Sequence, residues 1–150
     1  MAERKTPLFD EISPKHCLNS KFRRLHKIVD GIYQRELSEF GLKGSMLDIL
    51  FIIGKSSKFN QKDIARLLVI DQSTASRDIR KLEEKGWLTV RPSDVDSRTK
   101  DILITQEGLN ILEKIAPIWE DVQNKMMEHL GNFNIQTIDS TLNAVQNFKE

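Results

Sequence analysis

Small hydroxyl side chains and cations repeat at helical spacing in the stretch 73–82. On a helical wheel with about 100° per residue, the apolar residues share one side: Ala75, Ile79 and Leu82. The polar residues occupy the remaining faces: Ser73, Thr74, Ser76, Arg77, Arg80 and Lys81. Small side chains allow close approach to DNA, hydroxyls reach phosphates or base edges, and arginine can bind guanine through two hydrogen bonds. The pattern therefore indicates a DNA-binding helix, although an ordinary solvated face of an amphipathic helix looks similar.

Alternation of apolar and polar residues at 87–91 and 101–105 predicts two strands joined by a charged tip. We expect Arg98 and Lys100 to share one strand face and to reach a neighbouring minor groove. Arg91, at the base of the tip, is a further candidate for contact with DNA. Asp96 lies two residues before Arg98, where its carboxylate can hold the guanidinium. The alternative is an exposed hairpin whose surface ion pairs contribute little to stability.

Helical periodicity predicts the elements that position these side chains. One helix is expected over 21–40 and ends at Gly41, and the next begins near Ser45 and ends near residue 54. We expect Ser45 and Asp48 to form a capping box at the start of that second helix. Asn60 is the candidate N-cap of the third helix.

The third helix carries Lys62 and Arg66, which can cross the DNA backbone before a short break. Asp71 or Ser73 then caps the cationic helix. After the hairpin, Thr105 is the expected N-cap of a long helix that reaches Gly131, and a last amphipathic helix follows. Two strands are too few for a sheet-based core, so the predicted class is mostly α, with a small β part (α+β).

Composition is compatible with a globular protein and sets limits on its class. The chain has 150 residues, of which 30% are charged, and a formal net charge of +1. No apolar run approaches the roughly 20 residues of a membrane span, and the first residues lack the apolar core of a signal peptide. A single cysteine excludes an internal disulfide and fits a reducing cytoplasm, where we expect the protein to act. We expect no membrane association and no cofactor.

The motifs of the helix and hairpin together resemble those of the MarR family of bacterial transcription regulators. The matching segments are Asp71-Gln-Ser-Thr-Ala-Ser-Arg77, Leu82-Glu-Glu-Lys-Gly86-Trp-Leu, Asp96-Ser-Arg98 and Ile102-Leu-Ile104-Thr105-Gln-Glu-Gly108. The last two segments form D-x-R-x-x-x-I-x-I-T-x-x-G, which looks like the family's wing and following helix start. The resemblance is clearest from about residue 42 to residue 112.

This resemblance implies one domain over 1–150 with a winged helix-turn-helix lobe at about 42–105. Flanking helices at about 15–40 and 106–150 would form the dimerisation region of a homodimer. The dimer would read a pseudo-palindrome in double-stranded DNA, in most members as a repressor. A small aromatic effector would bind in the crevice between helices, although Lys43-Gly44 departs from the usual helix-capping residue there. By carry-over, the proposed contacts to bases or phosphates are Ser73, Thr74, Ser76 and Arg77, and Arg98 enters the minor groove.

Cys17 lies near the start of the first predicted helix, where a lowered thiol pKa would allow redox sensing. The opposing interpretation is an inert cysteine at an interface, because free thiols often pack as small apolar groups. Zinc binding is disfavoured, since the candidate ligands lack metal-ligand spacing: His16, Cys17, His26 and His129. No nucleophile motif, phosphate loop or carboxylate pair predicts an enzyme.

Two classes of function remain open from the residues alone. The first is a DNA-binding regulator whose affinity is modulated by an effector. The second is a winged-helix protein-interaction module that never binds DNA, because folds are reused for different functions. Arg77 and Arg98 distinguish the two, since an interaction module needs no outward arginine on both elements.

Overall fold

The computed structural model of the chain describes residues 6–56, 59–94, 98–131 and 134–148. A short helix and a 3₁₀ turn come first among the described residues, four further α-helices then precede a single antiparallel hairpin, and two follow it. The helices are α1 (Pro7–Asp10), α2 (Leu18–Glu36), α3 (Met46–Lys55), α4 (Gln61–Leu67), α5 (Gln72–Glu84), α6 (Gln106–Leu130) and α7 (Ile135–Gln146). The strands are β1 (Leu88–Pro92) and β2 (Lys100–Ile104), and 3₁₀ turns lie at Pro14–His16 and Ser38–Phe40. The mostly α class with a winged helix-turn-helix is confirmed.

Side-chain caps begin four of the helices where short polar residues precede an apolar pattern. The Asn60 side chain accepts a hydrogen bond from the backbone N–H of Asp63, and the Thr105 hydroxyl accepts one from that of Gly108. Asp71 caps α5 through the backbone N–H of Thr74, and Asn134 caps α7. Because the first N–H groups of a helix lack internal partners, these caps explain why the predicted starts are confirmed.

The expected capping box at the start of α3 is wrong. The Ser45 side chain makes no capping hydrogen bond. Its hydroxyl instead donates to Oδ2 of Asp78 on α5, at 2.8 Å. A capping pattern in sequence cannot exclude a more distant acceptor, and here that acceptor is a buried carboxylate.

The hairpin pairs Leu88 with Ile104 and Pro92 with Lys100 in an antiparallel register. A third segment, unforeseen in the sequence, bridges its outer edge: Ile102 donates its N–H to the carbonyl of Phe59, at 2.9 Å. A single residue pair has no alternating pattern, which explains why the polar stretch before α4 did not predict it.

The apolar core lies between α3, α4, α5, the hairpin and the first half of α6. Its fully buried side chains include Ile49, Leu50, Ile64, Leu82 and Ile115. None of the residues of α2 or α7 is buried. No helix within the described residues is long and apolar enough to cross a membrane.

Candidate nucleic-acid interface

The start of α5 is held by a dense set of hydrogen bonds to the Asp71 carboxylate. Oδ2 accepts from the Thr74 hydroxyl at 2.6 Å, and Oδ1 accepts from the Thr74 N–H at 2.8 Å and from the Ser73 hydroxyl. The hydroxyl of Ser73, followed by the groups of Thr74, holds the pKa of Asp71 well below its usual range. Asp71 therefore stays ionised at neutral pH, beside the positive end of the helix dipole.

Most side chains of the predicted DNA-binding face of α5 are exposed, as the helical wheel requires. Ser73, Ser76, Arg77 and Arg80 are exposed, whereas Thr74 is half-buried by its contact with Asp71. Opposite them, the apolar residues of the helix lie in the core: Ala75, Ile79 and Leu82. The division of α5 into a buried apolar side and a polar outer side is the arrangement that a helix in the major groove requires.

The three cations on α5 differ in how they are held. Arg80 donates to Glu84 Oε1 at 2.9 Å, one turn further along the helix. Arg77 donates to the Thr74 hydroxyl at 3.2 Å, and its Nε lies 4.0 Å from Oδ1 of Asp78. Lys81 Nζ lies 3.8 Å from the same oxygen. An anion that binds Arg80 must compete with the Glu84 carboxylate. Arg77 and Lys81 instead both lie near the buried carboxylate of Asp78.

The hairpin places three further candidate cations on its surface. Arg91 lies on β1 opposite Asp101, and Lys100 is the first residue of β2. Arg98 is exposed in the turn before β2, so the prediction that Arg98 and Lys100 share a strand face is wrong. Beyond the last ladder pair, Pro92 and Lys100, the Ser93 N–H still donates to the Thr99 carbonyl at 3.0 Å. Asp96, the predicted partner of Arg98, lies outside the described residues.

The helix before α5 contributes a smaller cationic surface. Lys62 is exposed near the start of α4. Arg66 is also exposed, and its Nη1 lies 3.6 Å from Asp63 Oδ1. Gln61 ties the two helices together, because its amide donates to the carbonyl of Gln72 at 3.1 Å.

Sequence reasoning missed Asp78, which lies on the buried side of α5, next to the exposed cations of the site. The side chain of Asp78 is only 4% exposed and lies beside the apolar residues of α5. The available signal was its angle on the helical wheel, which places it on the apolar side. A charged residue at such a position requires a partner, but the identity of that partner, Ser45, lies 33 residues away and gives no local pattern.

A cavity of about 290 Å³ lies between α2, α3 and α6, next to the lobe. Tyr33 and Trp119 form an aromatic wall with their ring centroids 6.4 Å apart, and the Tyr33 hydroxyl donates to Gln123 Oε1 at 2.6 Å. The carboxylates of Asp30 and Asp48 supply charge. Burial raises the pKa of Asp48, and the charge of Asp30 raises it further, while His26 lowers it. The cavity thus combines flat aromatic surface with polar groups, the usual composition of a small-molecule site.

Cys17 is exposed immediately before α2. Within the described ranges, no group of three or more His, Cys, Asp or Glu side chains is placed to hold a metal ion. The assigned DNA contacts, the possible redox role of Cys17 and the expected absence of a metal site all stay predictions.

The family match covers most of the segment predicted as the winged helix-turn-helix lobe. Residues 45–100 match the model of the MarR family. The HTH-type transcriptional regulator YwoH of Bacillus subtilis is 30% identical over 100 residues, which cover 67% of this chain and 69% of YwoH.

Solved structures of two regulators share the fold. Bordetella bronchiseptica BpsR, described for the regulation of its DNA binding by 6-hydroxynicotinic acid, superimposes with a TM-score of 0.78 at 18% identity, over 92% of this chain and 99% of BpsR. The repressor CouR of Rhodococcus jostii, bound to a 23-mer DNA duplex, gives a TM-score of 0.77 at 20% identity, over 97% of this chain and all of that chain.

Proposed function

This chain belongs to the MarR family of transcriptional regulators, and from that premise we propose that it is a homodimeric repressor in the cytoplasm. In this proposal it binds a pseudo-palindromic site in double-stranded DNA and releases it when a small effector binds. The family and its named relatives are regulators rather than enzymes.

One observation carries the DNA-binding proposal: α5 is apolar and buried on one side and polar and cationic on the other. Its outer side presents Arg77 and Arg80 beyond the small hydroxyls of its first turn. We assign the major-groove contacts to this side: Ser73, Thr74, Ser76, Arg77, Arg80 and Lys81. Arg98 is assigned to the minor groove, and the expected phosphate contacts are Lys62, Arg91 and Lys100. Asp96 keeps its proposed role of orienting Arg98.

The homodimer proposal is supported by unpartnered apolar residues on the flanking helices. Large apolar side chains of α2 and α7 that are 41–60% exposed fall on one stripe of each helix: Leu18, Phe22, Leu25, Ile28, Ile135, Ile138, Leu142 and Val145. Apolar stripes of this extent need a covering surface. A second copy supplies the same stripe through two-fold symmetry. We therefore propose residues of about 15–40 and 106–150 as the dimerisation region and about 42–105 as the DNA-binding lobe.

The cavity beside Trp119 is the proposed effector site. CouR, with the same fold, is also known bound to p-coumaroyl-CoA, and BpsR responds to 6-hydroxynicotinic acid. In this chain the ionisable residues that line the cavity include Asp30, Asp48 and His26. Because two of these are carboxylates, neutral or cationic aromatic compounds fit this site better than aromatic acids.

Selection of bound duplexes from a random DNA pool tests the function directly. We expect enrichment of a palindrome with half-sites about one helical turn apart. If no sequence is enriched although the protein is folded, the DNA-binding proposal is wrong and the interaction module is favoured.

Arg98→Ala tests the role of the wing on the selected duplex. Loss of one phosphate-region contact should weaken binding by about 1–3 kcal/mol and lower the salt slope by roughly one unit. Arg35→Ala is the matched control, since Arg35 is also exposed but lies at the end of α2. Equal affinities of both variants across a salt titration would remove Arg98 from the interface.

A further inference from the structure

Asp78 is the only charged side chain that is buried among the residues the structure describes. It lies on α5 between Arg77 and Ile79, at the edge of the apolar core. Burying a carboxylate is costly unless polar partners replace its hydration. The polar groups around Asp78 therefore indicate the structural role of its charge.

The two oxygens of Asp78 have separate partners. Oδ2 accepts the hydrogen bond from the Ser45 hydroxyl at 2.8 Å. Oδ1 faces the solvent side, with Lys81 Nζ at 3.8 Å and Arg77 Nε at 4.0 Å. The carboxylate thus lies between α3 and two cations of the proposed DNA-binding face, close enough to attract both.

The segment that begins α3 and contacts Asp78 through Ser45 also forms an edge of the cavity. Gly44 and Leu47, the neighbours of Ser45 and Met46, line the cavity beside Trp119. Gly44 has a φ of +59°, and a Cβ at this position would lie 3.3 Å from Oδ2 of Asp78. Little free space therefore separates the cavity edge from the carboxylate behind the DNA-binding face.

We propose that Asp78 is a positioning residue, which orients Arg77 and Lys81 for DNA and links them through Ser45 to the edge of the effector cavity. This inference rests on the proposed function. Displacement of Gly44 and Ser45 by a bound molecule would move Oδ2, and the two cations on Oδ1 would lose their fixed position. The element with two states would be the contact between α3 and α5.

Asp78→Asn separates positioning from simple electrostatics, because it keeps the shape and an acceptor for Ser45 but removes the charge. Loss of a negative charge near DNA alone would tighten binding to every duplex equally. Positioning predicts instead that the ratio of affinities for the selected and a scrambled duplex falls, by about tenfold. An unchanged ratio would overturn the inference.

Background variants show whether Asp78 acts through Arg77. In an Arg77→Ala background, we expect Asp78→Asn to lower the ratio by less than about threefold, because coupled residues are not additive. In an Arg98→Ala background the full loss should remain, since Arg98 lies in the turn before β2 and not on α5. The same loss in both backgrounds would show a merely structural role.

Two matched pairs test the link to the cavity. Ser45→Ala should lower the ratio and Ser45→Thr, which keeps the hydroxyl, should restore it; equal effects of both would contradict the link. Gly44→Ala should lower the affinity ratio, because the added Cβ would crowd Oδ2 of Asp78. Gly131→Ala is the control, since Gly131 also has a positive φ, of +64°, but a Cβ there meets nothing within 4 Å. A loss of similar size in Gly131→Ala would also contradict it.

A measurement without DNA distinguishes failure of this inference from failure of the proposed function. The NMR order parameter of the Arg77 Nε–H should fall in Asp78→Asn, while that of Arg35 should not change. If Arg77 order falls but no DNA sequence is selected, only the proposed function is wrong. If DNA is selected but Arg77 order is unchanged, the positioning inference is wrong.

Discussion

The winged lobe and the flanking helices differ in where their apolar side chains lie. In the lobe, Ile49, Leu50, Ile64 and Leu82 are at most 1% exposed. On α7, by contrast, Leu142 is 53% exposed and no residue is buried. Burial of apolar surface is the main favourable term in folding, so the lobe is stabilised by contacts within one chain, whereas α2 and α7 keep apolar side chains that the chain itself leaves exposed.

This difference separates folding from assembly. Substitutions in the lobe core should change the free energy of unfolding, while substitutions on the exposed stripes should change association. Dimerisation would then set the spacing of two preformed DNA-binding lobes without determining their internal structure.

The largest expected effect is on assembly, from Leu142→Glu. A charge within the apolar stripe should weaken dimerisation by at least about a thousandfold, which corresponds to about 4 kcal/mol. Ser140→Glu is the control, because Ser140 is exposed on the opposite side of α7. Sedimentation equilibrium measures both. A dimer of unchanged affinity in Leu142→Glu would show that this stripe is not the interface.

Leu82→Ala should have the next largest effect, on the free energy of unfolding. Removal of this fully buried side chain creates a cavity and should cost about 3 kcal/mol. Leu142→Ala, an equal truncation on α7, should leave the free energy of unfolding of the monomer nearly unchanged. Urea denaturation at low protein concentration compares them, and equal losses would remove the distinction between the two regions.

Two carboxyl groups should respond to pH in opposite directions, with smaller effects. The pKa of Asp71 is lowered, so its contribution to stability is present above about pH 4 and is lost as the pH falls toward its folded pKa. The pKa of Asp48 is raised, so its contribution is present below that pH and is lost as the pH rises through its folded pKa.

Asparagine variants measure this contrast. At pH 7, Asp71→Asn should be less stable than the wild type and Asp48→Asn more stable, and both differences should shrink below about pH 4. Urea titrations at pH 7 and pH 3 provide the test. A loss of stability in Asp48→Asn at pH 7 would show that the Asp48 charge is held by a favourable partner instead.

The smallest expected effect comes from Cys17→Ser, which should leave DNA affinity unchanged before and after mild oxidation. Cys17 lies in the flanking region and outside both the lobe core and the cavity. Gel-shift titration with and without peroxide measures this. If oxidation releases DNA from the wild type but not from the variant, the protein is a redox sensor and the flanking region receives that signal.

Local chemistry explains why most of the fold was predictable. Asn60, Asp71 and Thr105 cap helices through neighbours three residues away, and such contacts leave a pattern in the sequence. The division of α5 into two faces likewise follows from helical spacing. The observed helices and hairpin confirm the predicted fold class, and the family match confirms the predicted family.

Contacts between distant segments explain what was missed. Ser45 had a suitable local partner in Asp48 but bonds to Asp78, and Phe59 joins the hairpin through one backbone hydrogen bond. The short helix Pro7–Asp10 was also missed, because four residues are too few for a periodic pattern. Tertiary context decided each of these cases, and no spacing within one element records it.

The junction between the hairpin and α6 has a mechanical consequence. The Thr105 hydroxyl donates to the carbonyl of Gly86 at 2.6 Å, and a Cβ on Gly108 would lie 2.2 Å from the carbonyl oxygen of Trp87. The hairpin base and the start of α6 therefore move as one rigid body. Since α6 is about 38 Å long, a tilt of about 5° corresponds to a shift of about 3 Å at its far end. If the wing turns with α6 in the proposed homodimer, the spread between the two wings would follow the relative tilt of the two copies of α6.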